Sequence, residues 1–433
     1  MKHLGRLVIT QLITIASFAG TLYSVLPIPH PGSPGTADIL SLNNLGEVTG
    51  WLSVDGGNNI PFVATTSGYQ LLAAPEPQGA RGLSINDSGQ VAEQIDSPIN
   101  GVTPAFIATT SSVTPIPLPS PVYTGNSNIP GYSMAFPVGI NNSGELIGTA
   151  IGTNIGSNVP PELFIGTPDA LELIPLPSGW QPAGLYGFNN SGQVVGELST
   201  NGSVDTYQPF VGTTSGVTFI PIPPSWGLAY AGAINDSGEV AGYGGAPGQG
   251  TPIASSQAFV WSPTSGLTLI PLPPGATYSY LDLEGGPEIN SSGEVIGLSD
   301  AGAWIWDQAD GVQLVNNLAP MGWTIDGVFG VNNSGQILAT ASFAGSRIDY
   351  VLLTPESTPE PGSVILTSTA FLVVAIICRS SPPILGQIET LSAPIAFDAE
   401  MLRRSERVAR ASCGVLRRLR KNRRTDSMSW RAG

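Results

Sequence analysis

The sequence predicts an all-β fold: a seven-bladed β-propeller closed by an N-terminal strand, with a short C-terminal membrane helix. Three observations predict it. A turn motif recurs seven times, each repeat holds four short apolar segments, and a strand-like segment near the N-terminus can complete the last repeat. The 433 residues include 54 Gly and 39 Pro, a content typical of many short strands joined by turns.

The repeated motif is Asn-x-x-Gly between two apolar segments, as in INNSGEL (140–146), and its first asparagine recurs at steps of 42 to 55 residues. Such an Asn can accept the backbone N–H two residues on, while the Gly takes the left-handed conformation that closes a bulged hairpin. The motif is therefore interpreted as a structural turn. A ligand role for these asparagines is the alternative, but turn chemistry already accounts for them. The predicted turn residues are Asn43, Gly46, Asn86, Gly89, Asn141, Gly144, Asn189, Gly192, Asn235, Gly238, Asn290, Gly293, Asn332 and Gly335.

Each of the first six repeats contains four predicted strands. After the motif comes a second apolar segment such as ELIGTA (145–150), then a third rich in Phe, Trp and Val, such as AFVWS (258–262). A Ser/Thr/Gly turn leads to a fourth that ends in a proline pair, as in IPLP (116–119). Four strands per repeat favour a propeller blade over a solenoid coil. Because proline cannot donate to a sheet ladder, the fourth strand is predicted at the outer edge of its blade.

The seventh repeat ends after DYVLLT (349–354) and has no fourth strand of its own. The segment YSVLPIP (23–29) aligns with TFIPIP (218–223), a fourth strand of an earlier repeat. If it pairs with the third strand of the seventh repeat, the ring closes without an exposed edge. The propeller is therefore predicted to span 20–354.

Residues 1–19 are predicted to be a signal peptide cleaved after Ala19. Lys2 and Arg6 precede an apolar run, 7–19, which ends in the small-x-small sequence Ser-Phe-Ala. An uncleaved anchor is the alternative, but the run is shorter than the ~20 residues of a spanning helix. Export is the prediction.

The repeats resemble the HAF repeats of bacterial exported proteins, and residues 357–379, STPEPGSVILTSTAFLVVAIICR, resemble the PEP-CTERM sorting signal. The resemblance implies an exosortase-type sorting protease as partner, a transient inner-membrane anchor through 363–378, and release to the cell surface or an exopolysaccharide matrix. Its segments here are a Pro-rich linker (355–362), a hydrophobic helix (363–379) and a basic tail (380–433). The sorting residues it implies are Pro359, Glu360, Pro361 and Arg379.

The tail contains most of the positive charge. Of the 16 Lys and Arg, 12 lie at or beyond Arg379. The tail is predicted to be a disordered extension, and binding of nucleic acid or anionic lipid is the alternative. The first 378 residues hold 26 acids against 4 bases, a formal charge of −22. Phosphate backbones repel such a body, so nucleic-acid binding by the folded part is not expected.

Catalytic and metal-binding residue types are scarce. Cys378 and Cys413 lie outside the repeats, and His30 is the single histidine beyond the signal peptide. No metal site, cofactor or catalytic residue is therefore predicted, and the chain is predicted not to be an enzyme. The alternative is a carbohydrate-active hydrolase or lyase that uses the loop carboxylates Asp282, Glu284 and Glu288, since glycoside hydrolysis needs only two carboxyl groups.

The loops that join successive blades, and those between second and third strands, vary most in length and share one face of a propeller. Variable loops on a rigid scaffold are where binding usually resides. Aromatic side chains there can stack on sugar rings or protein partners, and the alternative is that they pack between blades. The predicted function is an exported surface or matrix binding module, with extracellular polysaccharide or a surface protein as partner. The candidate binding face comprises Trp180, Tyr186, Trp226, Tyr230, Tyr278, Tyr280 and Trp323.

Overall fold

The computed structural model describes residues 22–356 except 33–34, 55–57, 76–78, 100–101, 121–130, 154–159, 201, 203–205, 247–254 and 284–285. In this part of the chain, 28 β-strands form seven antiparallel sheets of four strands each. The innermost strands of six sheets, with residues 286–291 of the remaining blade, line one central channel. The prediction of an all-β, seven-bladed propeller is confirmed.

The blades follow one another along the chain, and strands within a blade are ordered from the channel outward. Blade 1 comprises β2 (Ala37–Leu42), β3 (Val48–Leu52), β4 (Ile60–Thr65) and β5 (Gly68–Leu71). Blade 2 comprises β6 (Ala80–Ile85), β7 (Val91–Ile95), β8 (Ala105–Ala108) and β9 (Val113–Pro115). Blade 3 comprises β10 (Gly131–Ile140), β11 (Leu146–Thr153), β12 (Glu162–Gly166) and β13 (Leu171–Leu173). Blade 4 comprises β14 (Gln181–Phe188), β15 (Val194–Ser199), β16 (Gln208–Thr213) and β17 (Gly216–Phe219).

Blade 5 comprises β18 (Leu228–Ile234), β19 (Val240–Gly245), β20 (Ser256–Ser262) and β21 (Gly266–Leu269). Blade 6 comprises β22 (Ser279–Tyr280), β23 (Val295–Ser299), β24 (Trp304–Asp307) and β25 (Gly311–Leu314), followed by a short 3-10 helix, Val315–Asn317. Blade 7 comprises β26 (Trp323–Val331), β27 (Ile337–Phe343), β28 (Ser346–Pro355) and, as its outer strand, β1 (Tyr23–Pro27).

The N-terminal strand closes the ring as the sequence predicts. Strand β1 pairs with β28 in antiparallel register, from Tyr23 opposite Pro355 to Pro27 opposite Val351. The Tyr23 and Val25 side chains are buried in the core between blades 6 and 7. Ile28 is buried on the opposite side, in the core shared with blade 1. The closing strand therefore contributes to the packing on both sides of its blade.

The second strand of a blade carries a glycine because an aromatic ring from the third strand packs across it. In blade 3, Gly148 lies opposite Phe164, and a Cβ on Gly148 would come within 2.7 Å of that ring and 2.3 Å of the Phe136 oxygen. The same pairing recurs in other blades, with the aromatic side chain fully buried each time. These pairs are Gly50 with Phe62, Gly196 with Phe210, Gly242 with Phe259, and Gly297 with Trp304.

Blade 2 departs from this pattern. Glu93 of β7 occupies the position of the glycine, opposite Phe106 of β8. Its side chain is 0% exposed, and neither carboxyl oxygen has a hydrogen-bond partner. Burial raises the pKa of Glu93 to about 9, because an uncompensated charge in an apolar interior is strongly disfavoured. A protonated carboxyl group is thus held inside the core.

The fourth strands end earlier than predicted. They stop before the proline pair, as β9 does at Pro115, whereas the sequence analysis placed the pair at the strand end. The isoleucine just before the two prolines makes the last hydrogen bond to the third strand. In blade 2, Ile116 N–H donates to the Ala105 oxygen at 2.8 Å, and the Ile116 side chain is buried. The prolines that follow have no N–H to donate, so the chain leaves the sheet there.

Blade 6 has a shortened inner strand. Strand β22 holds only two residues, and the chain rejoins the blade at an isolated bridge between Ile289 and Val295. Between these points the backbone pairs with the next blade instead, since Gly286 N–H donates to the Phe329 oxygen at 2.6 Å. Pro287 cannot donate to the strand beside it, which favours this detour.

Several sequence predictions concern residues outside the described part of the chain. They are the signal peptide with its cleavage site at Ala19, the linker beyond residue 356, the sorting residues Pro359, Glu360, Pro361 and Arg379, the helix 363–379 and the tail 380–433. Among the residues that are described, no helix has the length and apolar character needed to cross a lipid bilayer.

Candidate functional site

The seven Asn-x-x-Gly turns ring one end of the central channel, the end called here the turn face. In each turn the asparagine Oδ1 accepts the N–H groups two and four residues on, at 2.9–3.1 Å. Each glycine has a positive φ, between 71° and 79°. The structure thus places all fourteen predicted turn residues in Asx-turns of one geometry.

The asparagine Nδ2 groups donate hydrogen bonds that the sequence analysis did not predict. Each donates to the Glu or Gln side chain four residues on, at 2.5–2.9 Å. Six also donate to the main-chain oxygen of the asparagine in the following blade, at 2.9–3.0 Å: Asn43, Asn86, Asn189, Asn235, Asn290 and Asn332. Aspartate lacks these donors, so only asparagine can join the blades in this way.

A second ring lies at the next position of each turn. Asn44 N–H donates to Asp87 Oδ1 at 2.8 Å, and Asp87 N–H donates in turn to Asn142 Oδ1 at 2.9 Å. Asn190 likewise donates to Asp236. The channel that these turns surround has a volume of about 160 Å³. The polar groups of these turns largely hydrogen-bond to the turns of adjacent blades. The main role of the turn face is therefore structural.

The three tryptophans of the predicted binding face pack within the fold. Between ring centroids, Trp180 lies 4.6 Å from Phe219, Trp226 lies 5.9 Å from Phe259, and Trp323 lies 5.2 Å from Phe343. Each contacts one of the buried hydrophobic clusters. These three tryptophans therefore pack in the core, as the alternative interpretation of the sequence stated, and do not form a binding face.

The four tyrosines of the predicted binding face come together in blades 4 to 6. Tyr230 stacks on Tyr243 at 5.0 Å, Tyr243 lies 6.1 Å from Tyr280, and Tyr280 lies 6.2 Å from Tyr278. Tyr207 extends the row, 6.3 Å from Tyr230. Except for the buried Tyr243, these rings are partly exposed. Tyr207, Tyr230, Tyr278 and Tyr280 lie toward the loop face, which is the end of the propeller opposite the asparagine turns, whereas Tyr186 lines the central channel.

Glu197 lies among these rings, and the sixth tyrosine, Tyr186, touches it. The Glu197 side chain is 0% exposed, its Oε1 accepts Ala231 N–H at 2.7 Å, and its Oε2 has no hydrogen-bond partner. Burial raises the pKa of Glu197 to about 8, although Ala231 N–H and the Tyr186 hydroxyl lower it in part by hydrogen bonding. Burial, and then the Glu197 charge, raise the pKa of Tyr186.

We call this group the tyrosine site: Tyr186, Tyr207, Tyr230, Tyr243, Tyr278, Tyr280 and Glu197. Sequence analysis found four of its tyrosines because they precede or begin blades. It missed Tyr207, Tyr243 and Glu197. Glu197 and Tyr243 occupy the same position in the second strands of blades 4 and 5. The sequence contained a signal for Glu197: a glutamate within a predicted buried strand, as in QVVGEL (193–198), is unusual because glutamate is rarely fully buried without a partner.

The carboxylates proposed for the hydrolase alternative differ in burial, and the Asp282 charge adds to the rise in the pKa of Glu288. Glu288 is buried, 3% exposed, and burial raises its pKa well above the usual range. Asp282 is partly buried, and Glu284 lies outside the described residues. His30 lies beside the closing strand, with its Nε2 3.6 Å from Asp349 Oδ2. No group of three or more potential metal ligands occurs in the described part of the chain.

Comparisons with known proteins give similarities of fold only. No family model matches the chain, and no curated protein matches it. A solved β-propeller domain of the Trilobed protease from Pyrococcus furiosus is 11% identical, with a TM-score of 0.43, and the match covers 74% of this chain and 96% of that one. Pyrococcus horikoshii acylaminoacyl peptidase is 10% identical, with a TM-score of 0.43, over 77% of this chain and 54% of the peptidase. A prolyl endopeptidase is 12% identical, with a TM-score of 0.38, over 72% and 47%.

The prediction that the chain is not an enzyme is corrected by these comparisons. The solved propellers that it is similar to are propeller domains of peptidases, and the propeller is only part of those enzymes. The chain spans about half the length of two of these peptidases. At about 10% identity the likeness extends to the fold and not to activity.

Proposed function

We propose that this chain is an exported propeller that binds an extracellular ligand at the tyrosine site of its loop face. The observation that carries the proposal is the convergence of six tyrosines from three blades around one buried carboxyl group. Aromatic rings with polar edges supply large, rigid contact areas at small entropic cost. An extracellular polysaccharide or a surface protein is the partner that such a surface suits.

The rest of the proposal concerns delivery and rests on the resemblance to HAF-repeat and PEP-CTERM proteins. The chain is exported through its signal peptide, held briefly in the inner membrane through 363–378, and released by an exosortase-type protease. The Pro359-Glu360-Pro361 motif followed by an apolar run and Arg379 supports this order of events. The propeller then reaches the cell surface or the surrounding matrix.

Binding is tested with the full-length exported protein on a glycan array and on immobilised surface proteins of the producing cell. The variant is the double substitution Tyr230→Ala and Tyr280→Ala, which removes two rings of the row. The control is Tyr69→Ala, since Tyr69 is an exposed tyrosine on blade 1, 46% exposed. Loss of binding in the double variant alone supports the proposal. Equal binding by all three proteins, or none by any, overturns it.

Delivery is tested separately by following the protein to the cell surface. Truncation after Arg379 removes the basic tail and is expected to improve surface delivery, because a sorting signal of this kind functions close to the C-terminus. Replacing Pro359, Glu360 and Pro361 with alanine is expected to retain the protein in the inner membrane. Unchanged delivery in both variants would show that the signal is not read.

A further inference from the structure

The central channel forms a pocket beneath the ring of asparagine turns. Its walls extend from the turns along the inner strands as far as Leu83, Val138, Tyr186 and Gly232. Among the described residues, those that come next toward the loop face do not line it. The pocket therefore opens on the turn face. Its volume of about 160 Å³ has room for about five water molecules.

A segment of blade 6 lies at the inner end of this pocket. Gly286 N–H donates to the Phe329 oxygen of blade 7 at 2.6 Å, and a Cβ on Gly286 would lie 3.2 Å from the Leu40 oxygen of blade 1. The segment therefore contacts the two blades that follow its own. Glu288, two residues on, lines the pocket and is 3% exposed.

Glu288 is the exception among the residues that lie two positions before the turn asparagines. The other six are small: Ser41, Ser84, Gly139, Gly187, Ala233 and Gly330. Ser41 Oγ accepts Ile85 N–H of the following blade at 3.4 Å. Ser84 Oγ accepts Ile140 N–H in the same way at 3.3 Å. Small residues in six blades leave space at this level of the channel, and the seventh blade places a carboxyl group beside it.

These polar side chains have hydrogens to donate. Burial raises the pKa of Glu288 well above the usual range, and the Asp282 charge adds to the rise, while its own main-chain N–H lowers it in part. The protonated form is therefore favoured. Ser41 and Ser84 accept one N–H each, and within the described residues neither hydroxyl donates a hydrogen bond. Two hydroxyl groups and a carboxylic acid can thus both donate and accept in the pocket.

We propose that the channel pocket binds one uncharged sugar residue, which enters from the turn face and hydrogen-bonds to Ser41, Ser84 and Glu288. Sugar hydroxyls donate and accept, as these three groups do. The volume limits the ligand to about one sugar ring. The pocket opens on the face opposite the tyrosine site, so this second site goes beyond the proposed function.

Charged ligands suit the pocket less well. A cation meets no charged acceptor at its inner end while Glu288 holds its proton. An anion passes the carboxylates of Asp87 and Asp236 among the lining residues. The arginines of the described chain, Arg81 and Arg347, form ion pairs with other residues. A neutral ligand avoids both costs.

The probes are glucose, galactose and xylose, measured by calorimetry and saturation-transfer NMR on the full-length exported protein, with glucuronate and glucosamine as charged partners. We expect at least one neutral sugar to bind with a Kd of about 1 mM or below, and the charged partners to bind about tenfold more weakly. Cellotetraose presents glucose at a chain end. Binding by glucose alone identifies a free sugar as the ligand, and binding by both identifies the end of a glycan.

The variants are Glu288→Gln, which keeps a donor and an acceptor in the same shape, and Glu288→Met, which removes both. Glu288→Gln is expected to bind the sugar as wild type does, and Glu288→Met to bind about tenfold more weakly. Ser84→Ala should weaken binding in the same direction and decides the matter if Glu288→Met does not fold. Glu172→Gln, at an exposed glutamate of β13, is the control.

Two results would overturn the inference. If none of the sugars binds, the pocket holds water only. If a sugar binds equally well to wild type, Glu288→Met and Ser84→Ala, its site lies elsewhere on the protein. Charged sugars that bind as tightly as neutral ones would also contradict it. Glycan binding that depends on Tyr230 and Tyr280 is a separate measurement, so the proposed function stands or falls independently.

Discussion

Nδ2 of Asn332 in the seventh blade donates a hydrogen bond of 3.0 Å to the main-chain oxygen of Asn43 in the first blade, 289 positions earlier. The same bond joins consecutive blades elsewhere in the ring, so the first and last blades are joined by the same link. Two links therefore close the ring: this hydrogen bond between repeated turns, and the pairing of the N-terminal strand β1 with β28. The hydrogen bond also gives six of the turn asparagines a role that serine or aspartate could not fill.

Replacing Asn332 with aspartate is expected to lower the free energy of unfolding by about 1–3 kcal/mol, the cost of leaving a buried polar group unpaired. The substitution keeps the Oδ1 acceptor and removes the Nδ2 donor. Position 332 suits the test because its partner four residues on is Gln336 and not a glutamate, so no like-charge pair is created with that partner. Urea unfolding measures the change.

The control for this substitution is Asn317→Asp, at an exposed residue of the 3-10 helix. It introduces the same negative charge without touching the ring. A loss of stability in the control as large as that of Asn332→Asp would show that added charge, and not the missing donor, is responsible.

Deleting residues 21–29 is expected to open the ring. The deletion removes β1, exposes the edge of β28 and takes Tyr23, Val25 and Ile28 out of two buried clusters. Because an exposed apolar edge recruits further strands, partial unfolding and aggregation should follow. Size-exclusion chromatography and thermal melting measure this, and the peptide YSVLPIP added in trans should restore part of the folded monomer. A deletion variant that remains monomeric with the wild-type melting temperature would contradict closure by β1.

Replacing Gly148 with alanine is expected to destabilise the protein by about 1–3 kcal/mol, as overpacking in a core usually does. The new Cβ would lie 2.3 Å from the Phe136 oxygen and 2.7 Å from the Phe164 ring, so either the backbone or the ring must shift. Gly139→Ala is the matched control in the same blade, because its nearest neighbour would be 3.5 Å away. Denaturant unfolding of the two variants should separate them clearly.

The stability of the protein is expected to fall as pH rises from about 5 to about 9, in part through Glu93. Its folded-state pKa is raised to about 9 from an ordinary 4.5. Between these values the unfolded chain has lost the proton and the folded chain keeps it, so rising pH favours unfolding by about 1.4 kcal/mol per unit. Glu197 and Glu288, whose pKa values burial also raises, act in the same direction.

Glu93→Gln should reduce this slope by about one proton, because glutamine does not titrate. Melting temperatures measured at several pH values give the slope for both proteins. Glu172→Gln, at an exposed residue of β13, controls for the loss of one negative charge from the surface. A slope that is the same in wild type and Glu93→Gln would mean that the Glu93 carboxyl group reaches water.

Periodicity explains what the sequence could predict. Glycine at the fourth position of every turn and the alternation of short apolar segments recur in each repeat, so the number of blades and the order of strands follow from local rules. The pairing of β1 with β28 was also predictable, because YSVLPIP resembles the fourth strand that the last repeat lacks. Local chemistry repeated seven times leaves few folds to choose from.

Relationships between repeats were not predictable in this way. The partner of Asn43 Nδ2 is a main-chain oxygen 43 residues away, and nothing in a single turn indicates it. Similarly, Trp226 packs against Phe259 in the core, whereas Tyr230 stacks on Tyr243 and is partly exposed. The sequence alone does not distinguish Trp226 from Tyr230 in this respect. Which ring is covered depends on how adjacent blades meet, and this requires the three-dimensional arrangement.

The closing strand also decides where the chain enters and leaves the propeller. Leu22 and Glu356 are hydrogen-bonded neighbours at 2.7 Å, and Pro355 lies against Gly335 of the seventh asparagine turn. Both ends of the described chain therefore emerge on the turn face, and the tyrosine site opens on the other. An affinity tag at either end would fix the molecule to a sensor surface with its tyrosines toward the solution. The same adjacency makes the propeller a good candidate for circular permutation, because a short peptide could join the old ends and new ends could open at any exposed loop.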